Sequence, residues 1–235
     1  MKKIVCFIFS CLLVTPLAFT SIHAEDTEKY EGFDSKIQYE HAPDYYDAER
    51  VKAREEKIAQ AEERLKQRKS VYSISLPLRA QKYRGWCGAA VAEMIVDYQL
   101  GPNNIYTQDK LAAMMGMTPS SSGSYISLQA AALREATKLN YEVTRTADYD
   151  FTKALKSDIN AYVGLSLPVD LYYVYNNRPH SGAIGHSLAA KGYSDANTVI
   201  FLDPWNFDGN YYGQHEISIS QMLRAINGFT GYYIW

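Results

Sequence analysis

An α+β fold is the class this sequence predicts, on two observations. Between residues 71 and 160 the apolar residues recur mostly at helical spacing, and from Tyr162 onward they alternate with period two. A helical half followed by an antiparallel sheet must bury apolar faces against each other, so a cleft is expected where the halves meet.

Taken in order, Val71 to Leu78 alternates and predicts a first strand. Gly85 breaks that extended run, and Cys87 opens a long amphipathic helix with no breaker until Gly101. Asn103 to Thr118 holds a second helix that begins at Thr107 or Gln108 and is closed by Gly116 and Pro119. Ser120 to Ser124 is a turn-rich loop, Tyr125 to Asn140 a third helix, and Phe151 to Ile159 a short fourth. Strands are then expected over Tyr162–Val169, Leu171–Tyr175, Ser187–Tyr193, Thr198–Leu202, Gln214–Ile219 and Gly228–Trp235, with a short helix over Ser220–Ile226.

Ahead of this region, residues 1–24 have a signal-peptide design. Lys2 and Lys3 precede an apolar core, Pro16 interrupts it, and Ala24 is a suitable cleavage point. The apolar run, roughly 16 residues, is short for a bilayer span, which needs about 20. A secreted protein, extracellular or periplasmic, is therefore expected, with no stable membrane association after cleavage. Residues 25–70 comprise an acidic segment and then a charged helix from Asp47 to Lys69. Val51, Ile58, Ala61 and Leu65 give that helix only a thin apolar stripe. It reads as a linker helix or weak coiled coil, or as a propeptide covering the groove. Residues 71–235 form the folded domain. A formal net charge of −2 argues against nucleic acid as a partner. The 20 tyrosines suit either exposed strands or a peptide groove, and composition does not separate these uses.

Cleavage would remove Cys6 and Cys11 and leave Cys87 as the one thiol. A lone exported cysteine is explained by catalysis, by an intermolecular bridge or by burial. Its place favours catalysis: a thiol on the first turn of a helix faces unpaired N–H groups and the positive end of the dipole, which favour the thiolate. Gln81, six residues upstream, carries an amide able to donate to an oxyanion. A thiolate also needs a base held by a third group. His41 lies in the acidic leader, His180 in a loop, and His215 beside Glu216. His186 enters a strand that turns at Ser194–Asn197 and returns as Thr198–Leu202, so folding the hairpin brings Asp203 opposite it. Asp203 would then fix the imidazole, with Asn206, Asp195 and Asp208 as alternatives. Trp86 and Trp205 flank Cys87 and Asp203, and each reads equally as core packing or as a cleft wall.

These residues together resemble a known family. Gln81-x5-Cys87-Gly-Ala, Leu111-Ala-x-Met-Met-Gly116, Gly185-His186-Ser-Leu, Gly192-Tyr193 and Asp203-Pro204-Trp205 are similar to papain-like cysteine peptidases, nearest the bacteriocin-processing, double-glycine leader peptidase-like branch. The resemblance spans about Ser73 to Trp235. It implies a helical half packed on a C-terminal antiparallel sheet, with Cys87 as nucleophile, His186 as base, Asp203 as orienting acid and Gln81 as oxyanion donor. It implies a peptide or protein substrate and no cofactor or metal. Ala89 stands where many members carry Pro after Cys-Gly, and the chain shows no Gly-rich phosphate loop of the transporter-fused members. The same side chains would also serve another thiol acyl-transfer enzyme, such as a cell-wall peptide amidase or a transglutaminase-like enzyme. A non-catalytic peptide-binding module on the same fold is the remaining rival.

Overall fold

The sheet has six strands in the order β1-β6-β2-β3-β4-β5, with every pairing antiparallel. These strands are β1 (Val143–Arg145), β2 (Leu165–Asp170), β3 (Gly185–Ser194), β4 (Thr198–Asp203), β5 (Gly213–Ser218) and β6 (Tyr232–Ile234). The structure, a computed structural model, describes residues 42–67, 72–175, 184–207 and 211–235. The expected signal peptide, the acidic leader as far as His41, the loop carrying His180, and Asp208 lie outside the described residues.

Seven helices are described: α1 (Ala48–Lys66), α2 (Cys87–Leu100), α3 (Gln108–Met114), α4 (Ile126–Thr137), α5 (Phe151–Asn160), α6 (Leu171–Tyr175) and α7 (Ile219–Asn227). Helix α2 is the centre of the fold. Ala89 to Ala92 and Met94 to Val96 are all buried, so it is apolar around nearly its whole girth and packs on α3, α4, β2 and β3. Gly101, at φ 85°, ends it, and its N–H bonds the Asp97 carbonyl. Strand β2 is buried along its entire length, with α7 and α2 both packed on it.

The predicted α+β class holds: helices pack on a six-stranded antiparallel sheet in a papain-like arrangement. Three local expectations are corrected. Of the expected strand Val71–Leu78, the described residues 72–78 do not form a strand of the sheet. Ile74 and Leu76 are buried in alternation, but only an isolated bridge at Ser73–Gly192 forms, flanked by the Ile74 N–H to Lys191 O and Tyr193 N–H to Tyr72 O bonds. Pro77 then removes a donor and stops the ladder. That bridge needs Gly192, because a Cβ there would lie 2.6 Å from the Tyr72 carbonyl oxygen.

Leu171–Tyr175 is the helix α6, not a strand. Leu171 and Val174 are its buried residues, three positions apart, and the Asp170 carboxylate accepts from the Tyr172 and Ile184 N–H groups at the turn. Strand β1 was not expected at all. Its three residues depend on pairing with β6 rather than on their own periodicity.

Helix α1 docks by polar groups rather than by its thin apolar stripe. Its buried residues are Arg54, Lys57 and Ala61. Lys57 Nζ lies 2.7 Å from Asn140 O and 3.3 Å from Asp158 Oδ2, while Arg54 donates to Tyr45 O at 3.1 Å. The helix therefore rests on α5 and the turn before β1.

Candidate active site

Cys87 is the first residue of α2, preceded by Trp86 at the N-cap. The cap has no side-chain acceptor, so the first-turn N–H groups remain for whatever lies against the sulfur. The loop before it is pressed onto residues 121–122. A Cβ on Gly85 would stand 1.8 Å from the Ser121 carbonyl oxygen, so only glycine allows this approach. Behind the sulfur, the Gln129 amide of α4 donates to Gly88 O at 3.0 Å and to Ser166 Oγ at 2.9 Å. Gln129 is buried and ties the first turn of α2 to β2.

His186, buried at the start of β3, lines the same groove as Cys87, near enough for each to shift the other's protonation. Its Nε2 lies 2.8 Å from Asp203 Oδ1, which leaves Nδ1 for the thiol. Asp203 ends β4 and is completely buried. Its Oδ1 also accepts from the Trp205 N–H at 2.8 Å, and its Oδ2 accepts from the Tyr175 hydroxyl at 2.6 Å. The structure thus brings Cys87, His186 and Asp203 into one line of contacts.

The electrostatics of this line are those of an ion pair. Burial alone would push the Cys87 thiol up, but the His186 charge, its hydrogen bond and the donors of Ser187 bring it below its ordinary value. Burial alone would lower His186. The Cys87 charge, the Asp203 hydrogen bond and the Cys87 hydrogen bond outweigh it and push the imidazole up to about 10. Thiolate and imidazolium each favour the other.

Gln81 and the two tryptophans lie around the loop before Cys87 and the segment after Asp203. Gln81 is 1% exposed, and its Nε2 donates to Tyr83 O at 3.0 Å and Arg84 O at 2.8 Å, so both amide hydrogens hold the loop before Cys87. Its backbone N–H donates to Pro204 O, which joins this loop to the segment after Asp203. Trp86 points inward, where its indole N–H donates to Thr118 O at 2.7 Å and its ring meets Tyr83 edge-on. It is core packing. Trp205 stands edge-on to the His186 ring, 6.0 Å between centroids, and lies under the Arg84 guanidinium. Of the alternative partners, Asp195 sits in the β3–β4 turn and Asn206 follows Trp205, while Asp203 bonds His186. His215 lies on β5, bonded to Tyr211 O and packed on Phe201 and Tyr175.

A groove of about 560 Å³ opens over Cys87 and His186. Met115, Tyr125, Ile126 and Leu128 line one part, and Pro168 and Phe229 are also among its walls. Gly185 lets Phe229 lie there, since a Cβ at this position would come 2.2 Å from the ring. No Lys, Arg, Asp or Glu lines the groove among the described residues. Nor do they hold any cluster of three or more His, Cys, Asp or Glu placed for a metal ion.

A family model described as the Peptidase_C39 like family matches residues 73–225, well over half of the chain. The chain belongs to the Peptidase_C39 like family. Membership supports a cysteine peptidase, and the match runs from the Ser73 bridge into α7, enclosing Cys87, His186 and Asp203. A search of curated proteins finds no match. Helix α1 precedes the matched region although it is packed on it.

Three residues around the line of contacts escaped sequence reasoning. Gln129 was one polar position inside an amphipathic helix, and Ser187 was the residue after the histidine. Tyr175 was one of 20 tyrosines and fell in a segment read as a strand. Only Gln129 left a signal, as a buried polar residue on the apolar side of α4.

Proposed function

We propose that this protein is a secreted cysteine peptidase that hydrolyses peptide bonds through an acyl-thioester. One observation carries the reading: a thiol at a helix N-terminus lines one groove with an imidazole whose Nε2 lies 2.8 Å from a buried carboxylate. In this reading the Cys87 thiolate attacks the scissile carbonyl carbon and forms the C–S bond. The His186 imidazolium then gives its proton to the leaving amine as the C–N bond breaks. Water attacks the thioester, His186 takes its proton, and the C–S bond breaks to return the ion pair. Asp203 holds the ring and the charge of His186 throughout.

The developing oxyanion would lie against the Cys87 backbone N–H at the start of α2. Gln81, the expected second donor, would reach it by exchanging the Tyr83 or Arg84 carbonyl for the oxyanion. Among the described residues no Lys, Arg, Asp or Glu lines the groove, which suits a peptide whose side chains near the scissile bond are neutral. Export rests on the signal-peptide design of residues 1–24. No described helix is long and apolar enough to cross a membrane.

The test is a peptide epoxide probe applied to purified protein lacking residues 1–24, with the adduct located by mass spectrometry. Labelling at Cys87, blocked by pre-incubation with a cleaved peptide, is the expected result. A protein that neither labels nor hydrolyses any member of an uncharged peptide library overturns the reading.

A further inference from the structure

Asp203 raises a question that its contact with His186 does not answer. A carboxylate with no exposed surface is costly unless its oxygens are matched by donors. Oδ1 has two: the His186 ring and the Trp205 N–H. Oδ2 has one among the described residues, the Tyr175 hydroxyl, at a distance within the charge-assisted range for O–H on a carboxylate. A carboxylate bound at one oxygen only can rotate about its Cβ–Cγ bond. Held at both, it presents Oδ1 to the imidazole in one orientation.

Tyr175 is itself built into place. It ends the short helix α6, whose last carbonyls, Tyr173 O and Val174 O, accept from the Gln221 amide of α7 at 3.0 and 2.8 Å. The Tyr175 ring packs on Tyr211 at 4.5 Å between centroids and meets His215 of β5 edge-on at 5.4 Å. Among the described residues the titratable groups around this point are Asp203 of β4, His186 of β3, Tyr211 and His215, with Cys87 beyond His186. A hydroxyl so fixed does more than satisfy itself, because its acceptor is the group that orients the base.

We propose that Tyr175 is a positioning residue for the hydrolysis, clamping the Asp203 carboxylate so that His186 keeps a single orientation toward Cys87. The proposal rests on the cysteine peptidase reading. Its reach extends from α7 through Gln221 and α6 to the sulfur, so a surface helix sets the geometry of a buried pair.

Tyr175→Phe removes the hydroxyl and keeps the ring stacking. The expected result is a fall in kcat of about tenfold with KM within about twofold, since the hydroxyl touches no substrate. The rate at which iodoacetamide alkylates Cys87 at neutral pH falls with it. The strongly deshielded imidazole proton shared by His186 and Asp203 shifts in the 1H NMR spectrum, a change that loss of packing elsewhere would not cause. In an Asp203→Asn background the same substitution costs less than about twofold in alkylation rate, because the clamp has lost its charge. Full kcat with an unmoved proton resonance, or an equal loss in the Asp203→Asn background, overturns the proposal. Should Tyr175→Phe fail to fold, Gln221→Ala releases the end of α6 with the hydroxyl retained. A smaller loss in the same direction supports the clamp, and an unchanged alkylation rate overturns it. If wild-type Cys87 alkylates no faster than an ordinary thiol, the peptidase reading has failed, which is a different outcome from a fast wild type matched by Tyr175→Phe.

Discussion

Two buried charge clusters, one under α1 and one at Cys87, obey the same physics with opposite results. Under α1, Lys57 lies against Asp158 and Asn140, and Glu142 lies 3.0 Å from Arg50. Burial dominates there: it lowers Lys57 despite the Asp158 charge, and it raises Glu142 despite Arg134 and Arg50. At the groove, burial acts in the same sense on His186 and loses to Cys87 and Asp203. A cluster in which burial prevails strains toward neutrality and serves only to hold α1 on the domain. A cluster in which the partners prevail stores charge, and stored charge beside a groove is a reagent. A perturbed group marks chemistry only when the sign of its perturbation is the one that chemistry requires.

The sharpest way to separate the clusters is to remove one member from each. Cys87→Ala should reduce hydrolysis by at least about 10⁴-fold while the melting temperature stays within a few degrees, because Ala is a good helix residue and the site is half-buried. Asp203→Asn should lower kcat by about 10² to 10⁴-fold, measured against a melting curve that shows the variant folded. Lys57→Ala should do the reverse. It leaves Asp158 buried without its nearest cation and costs about 3–5 kcal/mol, seen as a drop of about 10 °C by calorimetry, with kcat of the folded protein unchanged. Loss of kcat in that variant at full stability would merge the two clusters.

The pH dependence sharpens the same contrast. Activity should fall on the alkaline side with a midpoint near pH 10, where His186 loses its proton, as read from a kcat/KM profile. The smallest effect is on stability. The folded His186 value of about 10 lies above its ordinary 6.5, so its contribution is complete below pH 6.5 and disappears as pH rises through 10. The gap in melting temperature between wild type and His186→Gln should narrow over that window. Lys57, lowered by burial, has the opposite slope: its contribution grows as pH rises toward 10.5.

The same contrast separates what the sequence made legible from what it concealed. The Cys87 helix start, the His186–Asp203 hairpin and the α+β class were readable because each is local: a breaker, a period, a short turn. The mode by which α1 docks was not, because buried Lys57 and Arg54 look solvated in a charged helix until their partners 83 to 101 residues away are known. The latter reach, for Lys57, runs to Asn140 and Asp158 on separate elements. Among the described residues the contacts of α1 lie on α5 and the turn before β1, away from the residues that line the groove. Gln81 was placed by spacing alone, and spacing does not reveal that nearby carbonyls hold its amide. Tyr175 stayed hidden because Leu171–Tyr175 carries a pattern that fits a strand or a single helical turn, and tertiary contacts with α7 decide between them.

The contact between Gly185 and Phe229 sets a boundary on how this domain can diverge. Even one methyl group at the position before His186 would collide with an aromatic ring, and the ring would have to leave the groove wall to make room. A lineage that acquires alanine there must therefore reshape the groove in the same step, so changes of groove shape should arise more readily at Leu128 or Tyr125, whose side chains are exposed at it.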